Sequence, residues 1–313
     1  MRTGFIIFLF LALFGDFIAN EMPLLCNLEG TWQFPALQQK GIDLGILNPD
    51  ADFMTRDWRN SPDLLFSINA PIPFSAETPN TDLERFVPPF QSRHLLGTDG
   101  LGRDVLAGLI AGCQVAFQIG IFSMIIAVIL GVVLGAIAGY FGSVADYLIM
   151  SLIEIKRAVP SILWIFAFAA FFDQCTLLQM TLIIGLLSWP GIALLMRSAV
   201  LKAKTADYIL AARGLGFSRW RILFVHIIPN CLGPVYVAAA ALVPSAVLTE
   251  TALTFLGIGL PLNSVTWGSM LRQAQSDISI WWLALFPGIC LFVLVLLFNT
   301  AAERLRKAEQ PFF

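Results

Sequence analysis

The sequence predicts an all-α membrane protein with six transmembrane helices and a long external loop between the first and second. Three observations predict it. Only 13% of the 313 residues are charged and 58% are hydrophobic, against roughly 25% and 45–50% in a soluble domain. Apolar runs close to the roughly 20 residues that cross a bilayer recur along the chain. The few Lys and Arg residues concentrate between two of those runs. So few charges cannot cover a water-facing surface without large apolar patches. A soluble enzyme, a disordered chain and a secreted disulfide scaffold are thereby excluded. Cys26, Cys113, Cys175, Cys231 and Cys290 lie far apart, an odd set that reads as small hydrophobes.

Residues 1–19 are the first predicted span, its apolar run from Phe5 to Ala19 interrupted by Asp16. A lone Arg2 before a short apolar run resembles a signal peptide, but no small-x-small cleavage site follows, so it reads as an uncleaved anchor. Residues 20–114 form the external loop, with twelve acids, six bases and many Pro and Trp. Residues 115–303 form a five-helix domain. Its spans are Val115–Tyr140, Tyr147–Phe172, Leu177–Met196, Leu232–Leu253 and Trp281–Phe298. The segment 198–229 is a cytoplasmic loop inside this domain, and 304–313 is a cytoplasmic tail.

Orientation follows from the bases. Arg197, Lys202, Lys204, Arg213, Arg219 and Arg221 face one acid, Asp207, between spans four and five. Arg304, Arg306 and Lys307 follow span six. Both regions, and the N-terminus four spans earlier, are expected in the cytoplasm.

Prolines 160, 190, 234, 244 and 287 fall in or near the spans. They are either ordinary membrane-helix prolines or kinks around a pathway that opens and closes. Gly131, Gly135 and Gly139 share one face of span two, where a neighbouring helix can approach closely. Glu154 and Arg157, three apart, can pair on one helix face, while Lys156 and Arg157 can also snorkel to the interface. Glu250 lies near the outer end of span five and reads as a hydrogen-bond acceptor. No phosphate-binding loop is present, because none of the five Lys follows a glycine. His94 and His226 stand alone, so neither a His-rich metal site nor a Ser-His-Asp triad has its residues.

The loop Thr205–Asn230 is the most informative stretch. Thr205 or Asp207 can cap a short helix. Tyr208, Ala211, Ala212 and Leu215 then share one face with a small centre. Gly216 suits the left-handed residue that ends a helix, and Ser218 can cap a second one running to Pro229. A basic surface helix of this kind either fits a groove of another protein or lies on anionic lipid.

This stretch resembles the cytoplasmic loop of binding-protein-dependent ABC importer permeases, whose pattern is Glu-Ala-Ala, three residues, Gly, nine residues, then Ile-x-Leu-Pro. Here Ala211, Ala212, Gly216 and Pro229 match at the right spacing; Leu210 replaces the Glu and His226 the first Ile. Within that family the chain is similar to the dipeptide/oligopeptide subgroup. Leu96-Gly-Thr-Asp-Gly-Leu-Gly-Arg-Asp104 resembles the signature before span two. Thr249-Glu250 through Phe255-Leu-Gly-Ile-Gly259, continued by Pro261 and Trp267-Gly-Ser-Met270, resembles the one after span five. Gln114 stands where the subgroup usually has Arg. Ile18–Leu25 and Gly30–Pro35 look like the microcin C/oligopeptide importer type; the usual basic tail before span one is nearly missing here, which suggests a different start site or a shortened chain.

The resemblance implies a type I ABC importer permease fold in a bacterial inner membrane. It implies a transport subunit for peptides or related compounds, with no catalysis of its own. Its partners would be a sister permease, two ATPase subunits and an external substrate-binding protein, within the lipid bilayer and without nucleic acid. ATP and Mg would bind the ATPases, and this chain would hold no cofactor or metal. Tyr208, Ala211, Ala212, Leu215, Gly216 and Pro229 are the expected ATPase-coupling residues. Glu154, Pro160, Glu250, Gly257 and Gly259 are candidates for the translocation path or its gate. The alternative is a gradient-driven secondary transporter or channel, which would need central ionisable groups.

Overall fold

A computed structural model describes residues 2–28, 30–43, 45–48, 53, 56, 58, 64–78, 85–91, 93–171, 175–261 and 264–309. The chain divides into two compact units, one from residues 1–117 and 262–290, the other from 118–261 and 291–313.

Helix α1 (Arg2–Ile18) opens the first unit. The Asp16 that interrupts its apolar run is paired with Lys40 of α2 (Pro35–Asp43). The expected loop after α1 carries a small antiparallel sheet of order β2-β1-β3. Strands β1 (Leu25–Leu28) and β2 (Thr31–Gln33) pair across a turn where Gly30 takes φ +89°. Strand β3 (Leu64–Ile68) pairs Ile68 with Leu25, with a bulge at Asn27/Leu28. Such short strands, joined across more than 30 residues, leave no periodicity long enough to read.

Helix α3 (Val105–Phe141) starts ten residues before the expected span two, so the preceding segment ends near Asp104. Asp104 explains the early start: its Oδ1 accepts from the Ala107 N–H at 2.8 Å, the N-cap bond that begins a helix.

The expected span three is not one helix. It divides into α4 (Ser143–Ala158) and α5 (Ser161–Ala169), and Phe172 lies outside the described residues. Pro160 is the cause. It lacks an N–H, and it pushes Val159 to extended backbone at φ −107°, ψ 130°. The other prolines do not divide their helices. Pro190 lies inside α6 (Leu177–Ala203), Pro244 inside α10 (Gly233–Phe255) and Pro287 inside α12 (Trp282–Glu309); Pro234 occupies the first turn of α10, where no N–H is needed. Helix α12 carries the expected tail residues up to Glu309 as helix.

Among the described residues four helices, α3, α6, α10 and α12, are long and apolar enough to cross a membrane. The apolar α1 is shorter, and α4 and α5 are each too short alone. The prediction of six spans therefore meets four clear ones.

The glycine stripe packs as its spacing predicts. A Cβ on Gly135 would sit 2.3 Å from the Ala193 carbonyl oxygen of α6, and one on Gly139 would sit 2.9 Å from the Arg197 carbonyl oxygen. At the same end, the Arg197 Nε and Nη2 donate to the Asp146 carboxylate at 2.5 and 2.6 Å. These side-chain bonds hold the Asp146 carboxyl below its ordinary value of 3.8, against partial desolvation. A depressed folded value means the stabilisation is complete above the unfolded value and is lost as pH falls through the folded one. Asp146→Asn should therefore lower stability by about 1 kcal/mol at pH 7 and converge with wild type in strong acid. Unfolding midpoints from pH 7 to pH 2 check this, and parallel curves would remove the pair from the explanation.

Candidate functional site

The Thr205–Asn230 stretch builds one arm of the site. Helix α7 (Asp207–Gly214) is capped by neither Thr205 nor Asp207. The cap residue is Ala206, and Thr205 instead donates its hydroxyl to the Lys202 carbonyl at 3.0 Å, closing the turn after α6. Gly216 does terminate the helix, at φ +79°, while the Phe217 N–H bonds back to the Ala212 carbonyl at 3.2 Å. Ser218 caps the next helical stretch by accepting from the Arg221 N–H at 3.3 Å.

That stretch runs as α8 (Arg219–Arg221), a π-helical segment Ile222–Ile227, and α9 (Ile228–Cys231). Pro229 lies in the first turn of α9. Its missing N–H leaves the Val225 carbonyl without the usual partner, consistent with the wider winding just before it. The His226 ring stacks on Phe217 at 5.7 Å and 3°.

The predicted face of α7 is divided by packing. Ala212 is buried, together with Ile209, in a core with Val132, Ala136, Met196, Val200, Ile222 and Ile227. Full burial of Ile209 is worth about 1.5–3 kcal/mol relative to exposure and clamps the helix in place. Tyr208, Ala211, Leu215 and Gly216 remain exposed, as does Pro229. Ala212 thus anchors the helix from beneath. Arg213 lies over the Tyr140 ring at 5.6 Å, and Arg221 over Phe217 at 4.5 Å, so two of the loop's cations are held by aromatic faces.

The second group of predicted residues gathers at the end of α10. Glu250 is 2% exposed and accepts from the Thr254 hydroxyl at 2.9 Å. Thr254 in turn accepts from the Leu260 N–H at 3.3 Å. Gly257 ends α10 at φ +83°, and a Cβ on Gly259 would overlap Thr254 Oγ1 at 2.1 Å. Glu250, Gly257 and Gly259 therefore meet around Thr254. The sequence reading missed that residue, although it sits one helical turn after Glu250.

Glu154 and Pro160 lie apart from this group, on α4 and at its end. Glu154 is exposed and forms no ion pair with Arg157. Beside Pro160 is a cavity of ≈ 430 Å³ lined by Lys156, Arg157 and Ser161, by Ser188 of α6, and by Ser245 and Thr249 of α10. Of those four hydroxyl residues only Thr249, at the head of the signature after span five, is marked by a sequence motif. Ser245 and Thr249, one turn apart in an apolar span, were the available signal.

In the first unit, the segment before α3 is a buried polar cluster. His94 Nδ1 lies 2.8 Å from Asp104 Oδ2, and Arg103 Nη2 lies 2.6 Å from Asp99 Oδ2. Trp282 Nε1 donates to the Thr98 carbonyl at 3.1 Å, and the Gly100 N–H donates to Gln273 Oε1 at 3.0 Å. Gln273 belongs to α11 (Trp267–Ala274), whose Trp267 leaves no room for a Cβ on Gly112. Two stretches far apart in sequence, each carrying signature residues, thus pack on one another. Among the described residues no cluster of His, Cys, Asp and Glu could hold a metal ion.

Comparison with known proteins agrees with this architecture. The di/tripeptide transport system permease protein DppC of Pseudomonas aeruginosa (strain UCBPP-PA14) is 38% identical over 222 residues, 71% of this chain and 73% of that protein. The oligopeptide transport system permease protein OppC of Escherichia coli (strain K12) is 36% identical over 250 residues, 79% of this chain and 82% of that protein. Among solved structures, an inward-facing MetNI methionine ABC transporter superposes with TM-score 0.52 at 19% identity, covering 66% of this chain and 96% of that one, a likeness of fold. Residues 131–309 match the family described as the binding-protein-dependent transport system inner membrane component, and the chain belongs to that family.

Proposed function

We propose that this chain is a transmembrane permease subunit of an ATP-driven importer, forming with a sister permease the path for di- and oligopeptides or related compounds. The curated relatives are named as permeases for such peptides, and that supports the substrate class. The observation that carries the coupling role is the arrangement of α7. Ile209 and Ala212 bolt the helix to the permease core, while Tyr208, Ala211, Leu215 and Gly216 face outward. A short helix fixed from below and bare above transmits a push or pull without bending, which suits a seat in a groove of an ATPase subunit. The concentration of bases supports a cytoplasmic position for this loop, for the C-terminal Arg304, Arg306 and Lys307 and for the N-terminus. The sheet-bearing segment before α3 then lies outside, toward a substrate-binding protein.

In this reading ATP and Mg bind two ATPase subunits, and the chain performs no chemistry. Glu154, Pro160, Glu250, Gly257 and Gly259 belong to the translocation path or its gate. Glu250, Gly257 and Gly259 act together by fixing the end of α10, and Pro160 acts by opening α4 from α5.

Copurification from cells expressing the whole importer tests the coupling surface. Ala211→Asp and Leu215→Asp should each lower the ATPase recovered with the permease about tenfold, the effect of one charge in a packed interface. The thermal midpoint of the permease should stay near wild type, because both side chains are exposed. Undiminished ATPase recovery would sink the docking role. Ala212→Asp is a poor probe, since it buries a charge in the permease's own core.

A further inference from the structure

We propose that the cavity beside the Pro160 break is a carboxylate-binding site on the substrate path, with Lys156 and Arg157 as its cations. The proposal rests on the peptide-importer reading above and names where such a substrate's anionic end is held.

The argument begins with the backbone. Val159 and Pro160 are both extended, at ψ 130° and 135°, between α4 and α5. At the start of α5 the Leu163 N–H bonds back to the Pro160 carbonyl at 3.0 Å, and the Lys156 carbonyl near the end of α4 accepts from Trp164 Nε1 at 3.3 Å, so the helix ladder stops at the break and only part of its backbone is satisfied across it. Interrupted backbone at membrane depth persists only where it is buried in protein or lines a wet cavity. A cavity is what lies there. A second one of ≈ 490 Å³ shares Ser161, Ser245 and Thr249 with it and reaches Asn299 of α12. Together they form a polar-edged groove along an otherwise apolar bundle.

The charges have one sign. Lys156 and Arg157 line the first cavity, and among the described residues no acid lines either one. Among the described residues neither cation forms an ion pair; Lys156 Nζ donates only to Ser161 Oγ, at 3.1 Å. Lys156 is half-buried and Arg157 is exposed at the cavity's edge, and a cation held within a bilayer costs about 2.5–3.5 kcal/mol or more unless it is neutralised or hydrated. The N-terminus of the nine-residue α5 adds its positive dipole end beside them. Two cations and a helix N-terminus at a break fit one planar anion, as half-helix ends do at midplane transport sites.

The hydroxyls complete a peptide-like pattern. Ser188 Oγ donates to the Ile184 carbonyl and Thr249 Oγ1 to the Ser245 carbonyl, both at 2.7 Å. Their protons are used, so they offer lone pairs to a donor such as a peptide N–H. Every peptide carries one terminal carboxylate whatever its side chains, so this site would accept many sequences.

The same cations could meet a lipid phosphate instead, and the test separates the two. The complete importer is reconstituted in vesicles of phosphatidylcholine alone and of phosphatidylcholine with phosphatidylglycerol. Trialanine uptake and binding-protein-stimulated ATP hydrolysis are measured together. Lys156→Gln with Arg157→Gln should lower uptake about tenfold in both lipids, while hydrolysis stays within about twofold. The exchange Lys156→Arg with Arg157→Lys, which keeps both charges, should retain most uptake. A defect only in the anionic vesicles assigns the cations to lipid and overturns the proposal. So does undiminished uptake, and so does equal loss of uptake and hydrolysis, which marks a structural role. Wild-type vesicles that import no trialanine under ATP overturn the peptide-substrate reading on which the site rests; the site fails alone when wild type imports and the variant equals it.

Discussion

Arg103→Met should cost about 3–5 kcal/mol, because it removes the partner of a buried carboxylate while leaving that carboxylate buried. Asp99 and Arg103 are 3% exposed each, and Arg103 reaches Asp99 Oδ2 through Nε at 2.7 Å as well as through Nη2. Asp99 Oδ1 also accepts the N–H groups of Leu101 and Arg103 at 2.9 Å, so its charge shapes the turn that leads into α3. Arg103→Lys should fall between wild type and Met, since an ammonium cannot reproduce the guanidinium's donors. Unfolding midpoints in detergent, together with the folded fraction extracted from membranes, provide the measurement. A Met variant within about 1 kcal/mol of wild type would show that the pair is dispensable. The expected loss is large because this turn also receives Trp282 Nε1 on the Thr98 carbonyl and Gln273 on the Gly100 N–H.

Gly135→Val should be the most damaging single change on the face of α3 that packs against α6, costing about 3 kcal/mol or more. The atom nearest an added Cβ is backbone, the Ala193 carbonyl oxygen, with the Ala193 Cα next at 2.9 Å. Backbone cannot rotate aside as a side chain does, so α3 and α6 must part. Their separation would open the packing of Val132 and Ala136 on Ile192 and Met196, the same cluster that holds Ile209 and Ala212. The effect should therefore extend to coupling: the Val variant should lose ATPase stimulation along with stability. Gly191→Ala is the matched control, since nothing lies within 4 Å of its added Cβ. Alanine in a helix is favoured over glycine by about 1 kcal/mol, so that change should be neutral or mildly stabilising. Equal midpoints for Gly135→Val and wild type would refute close helix contact.

Much of the site was legible from sequence where the determinant is local. Gly216 takes the left-handed backbone that its place after a short helix predicts, and Ser218 makes the cap bond its position predicts. The four-residue spacing of Gly131, Gly135 and Gly139 fixed their common face. Local rules failed at Thr205 and Asp207, because α6 continues to Ala203 and the turn after it consumes the Thr205 hydroxyl. They also could not rank the prolines. All five carry the same chemical defect, yet only Pro160 divides its span; Pro190 and Pro244 are buried inside helices that continue through them.

By itself the sequence determined the class of protein. Its scarcity of charge requires lipid contact, and its motifs in order mark the permease family. It also determined where the charged surface helix lies. Only the tertiary structure decided which side of that helix turns inward. Ala211 and Ala212 are adjacent and chemically identical, and both were expected on one outward face. The core below takes Ile209 and Ala212, since residues three apart on a helix meet the same neighbour. That choice depends on Val200, Ile222 and Ile227, which chain-local spacing does not encode. The first unit's buried cluster teaches the same point: Thr98 and Trp282 are 184 residues apart, and only folding brings the carbonyl to the indole.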